Sequence, residues 1–112
     1  MNLEIKEKQS NDVIVCSVKG EININTSPNM RKEFEKLVRE DSKKILLNLN
    51  NVSYIDSSGL ATLIEILQRV KRNNGLMRLS NLSEKVSSLF EITKLDKLFN
   101  IFSSEEEALQ NF

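Results

Sequence analysis

Histidine and tryptophan are absent from the 112-residue sequence, and cysteine and proline each occur once. Without histidine, the chain lacks the commonest general base and the commonest transition-metal ligand, which excludes a Ser-His-Asp hydrolase. Its single cysteine permits no disulfide within the chain. Because Cys16 lies in the apolar stretch VIVCSV, we expect a small buried core residue and not a nucleophile. Gly-rich phosphate loops of the Walker or dinucleotide type are also absent, and we expect neither a cofactor nor a metal ion.

An excess of charge of either sign is missing as well, because 16 Lys and Arg balance 16 Asp and Glu. This balance argues against broad electrostatic binding to nucleic acid or anionic lipid. The apolar runs are far too short to cross a bilayer, and the N-terminal stretch MNLEIKEKQS has no apolar signal-peptide segment. We therefore expect a cytoplasmic protein with no nucleic-acid partner and no direct membrane insertion, as a monomer or a weak dimer.

The order of local patterns indicates one α/β domain over residues 1–112. Short apolar or alternating segments typical of strands alternate with segments of helical period, and the connections between them are short. This order predicts an α/β sandwich with a mostly parallel mixed sheet, right-handed crossovers, about four helices and an N-terminal antiparallel edge. The predicted strands cover residues 3–8, 12–20, 43–52, 76–81 and 96–103.

One predicted helix precedes the third strand in the sequence, and a second helix follows it. Thr26 or Ser27 is the candidate N-cap of the first, with Pro28 at its first helical position. The second ends near Gly75, where a residue of left-handed backbone is typical. The apolar stripe predicted to face the core from the second helix is Leu60, Leu63, Ile64, Leu67 and Val70.

Two further helices are predicted in the last third of the chain. Ser83 is the candidate cap of the first of them, in the stretch SEKVSSLFEITKL. Ser104 and Glu107 have the spacing of a capping box, which predicts a terminal helix that ends at Phe112.

The stretch VSYIDSSGL places Asp, two Ser and Gly between a predicted strand and the second helix. One interpretation is structural: Asp56 or Ser57 caps a helix that begins near Ser58, which contributes about 1 kcal/mol. The other is functional, because sites in open α/β sheets lie at the carboxyl ends of strands, and a helix N-terminus accommodates phosphate. A phosphoryl group on Ser57 would add nearly two negative charges beside Asp56, and Gly59 lets another surface come close. The residues alone leave both interpretations open.

Two stretches together carry a resemblance to a known family. The segment GEININTSPNMRKEF, followed by ILLNLNNVSYIDSSGLATLIEIL, resembles the STAS domain of anti-sigma factor antagonists, small bacterial proteins of partner-switching systems. The family pattern is a Gly-Glu-aliphatic-Asp turn before the first helix and Asp-Ser-Ser/Thr/Ala-Gly-Leu at the start of the second. The stretch GLMRLSNLSEKVSSLFEITKLDKLF also matches in pattern, so the resemblance covers nearly the whole chain.

The resemblance implies a kinase substrate and binding module, and not an enzyme. Ser57 corresponds to the serine that an anti-sigma factor, itself a GHKL-type serine kinase, phosphorylates with ATP, and a PP2C-type phosphatase reverses this step. The unphosphorylated protein binds the anti-sigma factor and frees the sigma factor. Around Ser57, the residues assigned to the binding surface are Asn23, Thr26, Asp56, Ser58, Gly59 and Thr62.

One position departs from the family pattern. The turn before the first helix usually ends in Asp, whereas this chain has Asn23 there. Asn keeps the size and the hydrogen-bonding reach of Asp but carries no charge. We therefore expect Asn23 to repel a phosphate on Ser57 less than the usual Asp would.

Three alternatives from other classes remain. A two-component receiver would use Asp56 as phospho-acceptor, but it needs an acidic cluster for Mg²⁺ after the first strand, where Glu21 is the only carboxylate in VKGEININ. A STAS accessory subunit of a lipid-transport ABC complex, or of a stress-sensing assembly, would have the same fold without phosphorylation of Ser57. A small enzyme would need Lys or a carboxylate as the base for a serine nucleophile.

Overall fold

The computed structural model describes residues 3–112, and in them one five-stranded mixed sheet forms the centre of the fold. The strands lie in the sheet in their sequence order; the first two are antiparallel and all other neighbours are parallel. This confirms the predicted α/β class with an antiparallel N-terminal edge. Met1 and Asn2, which belong to the predicted 1–112 domain, lie outside the described residues. The strands are β1 (Glu4–Ser10), β2 (Val13–Ile22), β3 (Lys44–Ile55), β4 (Leu76–Ser80) and β5 (Asn100–Phe102).

Four α-helices and one short 3₁₀ turn connect and cover the strands. Residues from α1, α2 and α3 share one apolar core with the sheet, whereas α4 contributes Ala108 to a second, smaller cluster. Side chains of a strand alternate between faces, and accordingly Ile45 and Leu47 of β3 enter the larger core while Leu46 enters the smaller one. The helices are α1 (Ser27–Arg39), α2 (Ser57–Arg72), α3 (Glu84–Ile92) and α4 (Glu105–Leu109), and the 3₁₀ turn is Leu95–Lys97.

The buried face of α2 is wider than the predicted stripe. Leu60, Leu63, Leu67 and Val70 are buried as predicted, and Ile64 is half-buried. Ile66 is buried too, because it lines the space between α1 and α2. The sheet covers one side of α2 and α1 covers another, so more than one stripe is removed from water.

The end of α2 corrects one prediction. The left-handed residue is Asn74, with φ 60°, and not Gly75. The Gly75 N–H donates to the Val70 carbonyl at 2.9 Å and the Asn74 N–H donates to the Lys71 carbonyl at 3.0 Å, which is a Schellman motif. Gly75 is needed for a different reason, because a Cβ there would lie 2.7 Å from the Lys43 carbonyl oxygen.

The capping predictions for the last two helices are confirmed in part. Ser83 accepts a hydrogen bond from the Val86 N–H, and Ser104 accepts one from the Glu107 N–H at 3.1 Å. The Glu107 carboxylate, however, accepts from the Ser103 hydroxyl at 3.0 Å and so does not complete a capping box with Ser104.

The terminal helix ends at Leu109 and not at the predicted Phe112. The guanidinium of Arg78, on β4, binds three carbonyls of the segment that follows and ends this helix, and its carbon lies 4.4 Å from the centroid of the Phe112 ring. The carbonyls that accept its hydrogen bonds, each at 2.9 Å, are those of Ala108, Gln110 and Asn111.

Candidate functional site

The candidate site lies where β2 and β3 end together. The pairing of β3 with β4 stops at Asn48, but β3 continues to Ile55 and pairs there with Ile22 of β2. The turn of residues 23–26 leaves β2 at this point, and α2 begins two residues after β3 ends. The sheet therefore brings the 23–26 turn and the start of α2 to one edge.

Asp56 joins these two segments with its carboxylate. It is the N-cap of α2, and its Oδ1 accepts a hydrogen bond from the Gly59 N–H at 2.8 Å. Its Oδ2 faces the Ile24 N–H at 3.4 Å, and its own N–H donates to the Ile22 carbonyl at 3.2 Å. Of the two predicted caps, Asp56 is the one that the structure shows, and the helix begins at Ser57.

The two serines differ in exposure. Ser57 is the first residue of α2 and is exposed to solvent, whereas Ser58 is half-buried. The Ser58 carbonyl accepts a hydrogen bond from the Thr62 hydroxyl at 2.9 Å. Ser57 is therefore the more accessible of the two hydroxyl groups for chemical modification.

Gly59 allows a close approach, as predicted, but the sequence did not show which surface comes close. A Cβ at this position would lie 2.3 Å from the Ile22 carbonyl oxygen and 2.8 Å from the Ile55 Cγ2 atom, which is far inside van der Waals contact. The surface that comes close to Gly59 is thus the end of β2 in the same chain.

Asn23 and Thr26 fix the shape of the turn before α1. The Asn23 Oδ1 accepts hydrogen bonds from the Asn25 N–H at 2.9 Å and the Thr26 N–H at 3.1 Å. The Asn23 amide also reaches the Glu21 carboxylate at 3.5 Å, a contact in which Asp would place two negative groups together. Thr26 holds the N-cap position of α1 but makes no side-chain cap bond; its hydroxyl donates to the Glu21 carbonyl at 2.7 Å.

Thr62 lies beneath the site and connects α2 to α1. It is fully buried, and its hydroxyl accepts a hydrogen bond from the Arg31 guanidinium at 3.2 Å. The Arg31 Nε also donates to the Glu65 carboxylate at 3.2 Å. The sequence did not indicate Arg31, because its partners come from another helix and nothing in the spacing within α1 predicts them.

The predicted binding residues divide into a buried and an accessible group. Thr26, Gly59 and Thr62 are buried, so in the isolated chain they support the site from within. Asn23, Asp56 and Ser58 are half-buried and lie around the exposed Ser57.

The two chain segments that meet beside Ser57 contain few charged residues. Residues 22–30 and 52–64 contain Asp56 as their single charged residue, although 29% of all residues in the chain are charged. Two large apolar side chains are exposed in these segments, Ile24 at 69% and Tyr54 at 42%. Lys85 borders them, with its ammonium 5.2 Å from the centroid of the Tyr54 ring. We call the exposed residues Ile24, Asn25, Tyr54 and Ser57 the uncharged surface.

Other chemistry has little support in the described part of the chain. Within residues 3–112, no group of three or more acidic or cysteine side chains is placed to hold a metal ion. No helix of this part is both long and apolar enough to cross a membrane. Cys16 is buried, as predicted, and burial raises the pKa of its thiol to about 12.

Comparison with known proteins agrees with the fold and the motif. The STAS domain model matches residues 4–108. The anti-sigma-B factor antagonist of Bacillus subtilis (strain 168) is 33% identical over 110 residues, which cover 98% of this chain and 100% of that protein. The anti-sigma-B factor antagonist of Staphylococcus aureus (strain NCTC 8325 / PS 47) is 29% identical over 106 residues, which cover 95% of this chain and 98% of that protein.

A solved structure gives the same result. A Thermotoga maritima protein that is provisionally assigned as an anti-sigma factor antagonist has a TM-score of 0.89 and 28% identity. The alignment covers 95% of this chain and 92% of that chain. The resemblance seen in the sequence is therefore confirmed over almost the full length, and the chain belongs to the STAS domain family.

Proposed function

We propose that this chain is an anti-sigma factor antagonist that is switched by phosphorylation of Ser57. In the unphosphorylated form it binds an anti-sigma factor, which releases the sigma factor. The anti-sigma factor is also a GHKL-type serine kinase that transfers the γ-phosphoryl group of ATP to the Ser57 hydroxyl. A PP2C-type phosphatase removes the phosphate, and the chain itself catalyses neither step.

The observation that carries the proposal is the exposure of Ser57 at the start of α2, between two segments that are poor in charged residues. The hydroxyl is at the first position of α2 and accessible, and Asp56 is the single charged residue in the two segments that surround it. A phosphoryl group would add nearly two negative charges beside the Asp56 carboxylate. A partner surface that excludes water from this region would then have to desolvate those charges, so phosphorylation opposes binding.

Asn23 affects this switch through its missing charge. Its amide lies in the turn that Asp56 contacts through the Ile24 N–H, so an Asp at this position would add a second carboxylate to the same edge. With Asn23, phosphorylated Ser57 has one carboxylate fewer nearby. We therefore expect Asn23→Asp to make transfer to Ser57 slower while leaving the fold intact.

The proposal is tested by incubating the protein with ATP and the candidate anti-sigma kinases of its host, followed by intact-mass measurement and site mapping. One added phosphate on Ser57 is expected for the wild type and for Ser58→Ala, and none for Ser57→Ala. Calorimetry with the same kinase is then expected to show binding of the unphosphorylated protein and loss of binding after phosphorylation.

Two results would change the assignment. A phosphate on Ser58 in place of Ser57 would keep the mechanism but move the site by one residue. No phosphate with any candidate kinase, together with stable binding to an ABC ATPase, would refute the sigma-factor role and favour an accessory STAS subunit.

A further inference from the structure

The 23–26 turn presents an aliphatic side chain to solvent beside the proposed phosphorylation site. Ile24 is 69% exposed, and its backbone N–H faces the Asp56 carboxylate, the residue directly before Ser57. A single exposed isoleucine is ordinary on a protein surface. What distinguishes Ile24 is its position and its surroundings.

Hydrogen bonds hold the turn that carries Ile24. The Asn23 Oδ1 accepts hydrogen bonds from the N–H groups of Asn25 and Thr26. The buried Thr26 hydroxyl donates to the Glu21 carbonyl at 2.7 Å. The Ser27 hydroxyl also donates to the Asn23 carbonyl, at 2.7 Å. A side chain presented by an ordered turn loses less conformational freedom on binding than one on a mobile loop.

The segment around Ile24 is poor in charged residues. The cores of protein interfaces are poor in charged residues and rich in aromatic and apolar ones, whereas their rims are polar. Ile24 and Tyr54 are the large apolar side chains of the uncharged surface, and the charge of Lys85 lies at its border. This distribution is that of an interface core with a charged rim.

Phosphoryl transfer to Ser57, which rests on the proposed function, brings the kinase to this edge of the sheet. A kinase that transfers phosphate to Ser57 must bring ATP to the Ser57 hydroxyl, and its surface must therefore cover the residues next to it. A standard interface covers roughly 800 Å² on each partner. The Ile24 N–H contacts Asp56, and Asp56 directly precedes Ser57 in the chain. Ile24 therefore falls inside this area.

We propose that Ile24 is the main apolar anchor by which the serine kinase binds this protein. The matching feature of the kinase is an apolar pocket near its nucleotide site. The anchor acts in binding, and the Ser57 hydroxyl acts in phosphoryl transfer.

The test is calorimetric titration of the kinase with wild-type protein, Ile24→Ala and Ile92→Ala. Ile92 is the matched control, because it is 79% exposed but lies at the far end of α3. We expect Ile24→Ala to weaken binding about 30-fold, the effect typical of an interface hot spot, and Ile92→Ala to change it less than twofold. Urea unfolding of all three proteins shows whether the fold is equally stable.

The outcomes separate this inference from the proposed function. If the kinase binds and phosphorylates the wild type but binds Ile24→Ala equally well, the anchor is refuted and the switch at Ser57 stands. If no candidate kinase binds the wild type, both fall. If sedimentation of the protein alone shows a dimer that Ile24→Ala dissociates, the partner on this surface is a second copy of the chain, and the assignment to the kinase is overturned.

Discussion

The carboxylate of Asp56 faces the backbone N–H of Ile24 at 3.4 Å, although the two residues are 32 positions apart in the sequence. The same carboxylate caps α2 through the Gly59 N–H at 2.8 Å. One side chain therefore stabilises the start of the helix and also connects it to the turn before α1.

We predict that Asp56→Ala lowers the free energy of unfolding by about 1 kcal/mol, because the cap bond is lost. Asp56→Asn keeps an oxygen acceptor and is expected to restore most of this loss. Urea unfolding measures both changes, and amide hydrogen exchange should show faster exchange at Ile24 in Asp56→Ala. Unchanged exchange at Ile24 would mean that the contact between the Asp56 carboxylate and the Ile24 N–H does not stabilise the turn.

Gly59 gives a second prediction about the same edge. Since a Cβ would lie 2.3 Å from the Ile22 carbonyl oxygen, Gly59→Ala forces the helix and the end of β2 apart. We expect a loss of roughly 1–3 kcal/mol in the free energy of unfolding, typical of overpacking. Ser57→Ala, two residues earlier and exposed, is the control and should stay within about 0.5 kcal/mol of the wild type. A fully stable Gly59→Ala protein would contradict the close packing.

The thiol of Cys16 provides a test of the core. Burial raises its pKa to about 12, and the negative charges of Glu7 and Glu33 act in the same direction. Because the thiolate is the reactive species, we expect no alkylation by iodoacetamide in the folded protein at pH 8 and complete alkylation in urea. Mass spectrometry distinguishes the alkylated from the unmodified protein. Stoichiometric labelling of the folded protein would show that β2 opens readily.

Glu105 gives a prediction on pH. The Lys8 ammonium, at 2.8 Å, and then the Asn48 amide, at 3.0 Å, hold the pKa of its carboxyl below the usual value. The ionised form therefore stabilises the fold above the unfolded-state pKa of about 4.3, and this contribution is lost as the pH falls through the lower folded-state pKa.

We expect Glu105→Gln to be less stable than the wild type at pH 7 by at most about 1 kcal/mol, because the ion pair with Lys8 is partly exposed. The difference should vanish in acid. Glu106→Gln removes an exposed negative charge from the same turn and controls for the effect of the helix dipole. A difference between wild type and Glu105→Gln that persists at low pH would point to packing and not to charge.

The parts of the fold that depend on local pattern could be predicted from the sequence. The helical stripe of α2 and the caps at Ser83 and Ser104 follow from residues close together in the chain, and the structure confirms them. The predicted strand 43–52 is too short, because β3 runs to Ile55 by pairing with Ile22, and the polar residues near its end do not read as a buried strand.

Features that depend on distant contacts could not be predicted. Asn74 takes the left-handed position, and Gly75 packs against the Lys43 carbonyl, which belongs to a segment about 30 positions earlier. Arg78, about 30 positions earlier, binds the Ala108 carbonyl near the end of the terminal helix, a contact that the local pattern does not show. At the candidate site, the sequence identified Asp56 as a possible cap. The burial of Thr62 and its hydrogen bond with Arg31 could not be predicted, because they depend on how α1 packs against α2.

The sequence order of the strands in the sheet has a consequence for synthesis on the ribosome. Each strand after the first pairs with the strand made immediately before it, so the nascent sheet grows outward from the β1–β2 hairpin without a gap that a later segment must fill. The hydrogen bonds described around Ser57 join residues 21–65, and this part of the chain is complete before β4, β5 and α4 leave the exit tunnel. The residues that these hydrogen bonds join are thus all made before the second half of the sheet is synthesised.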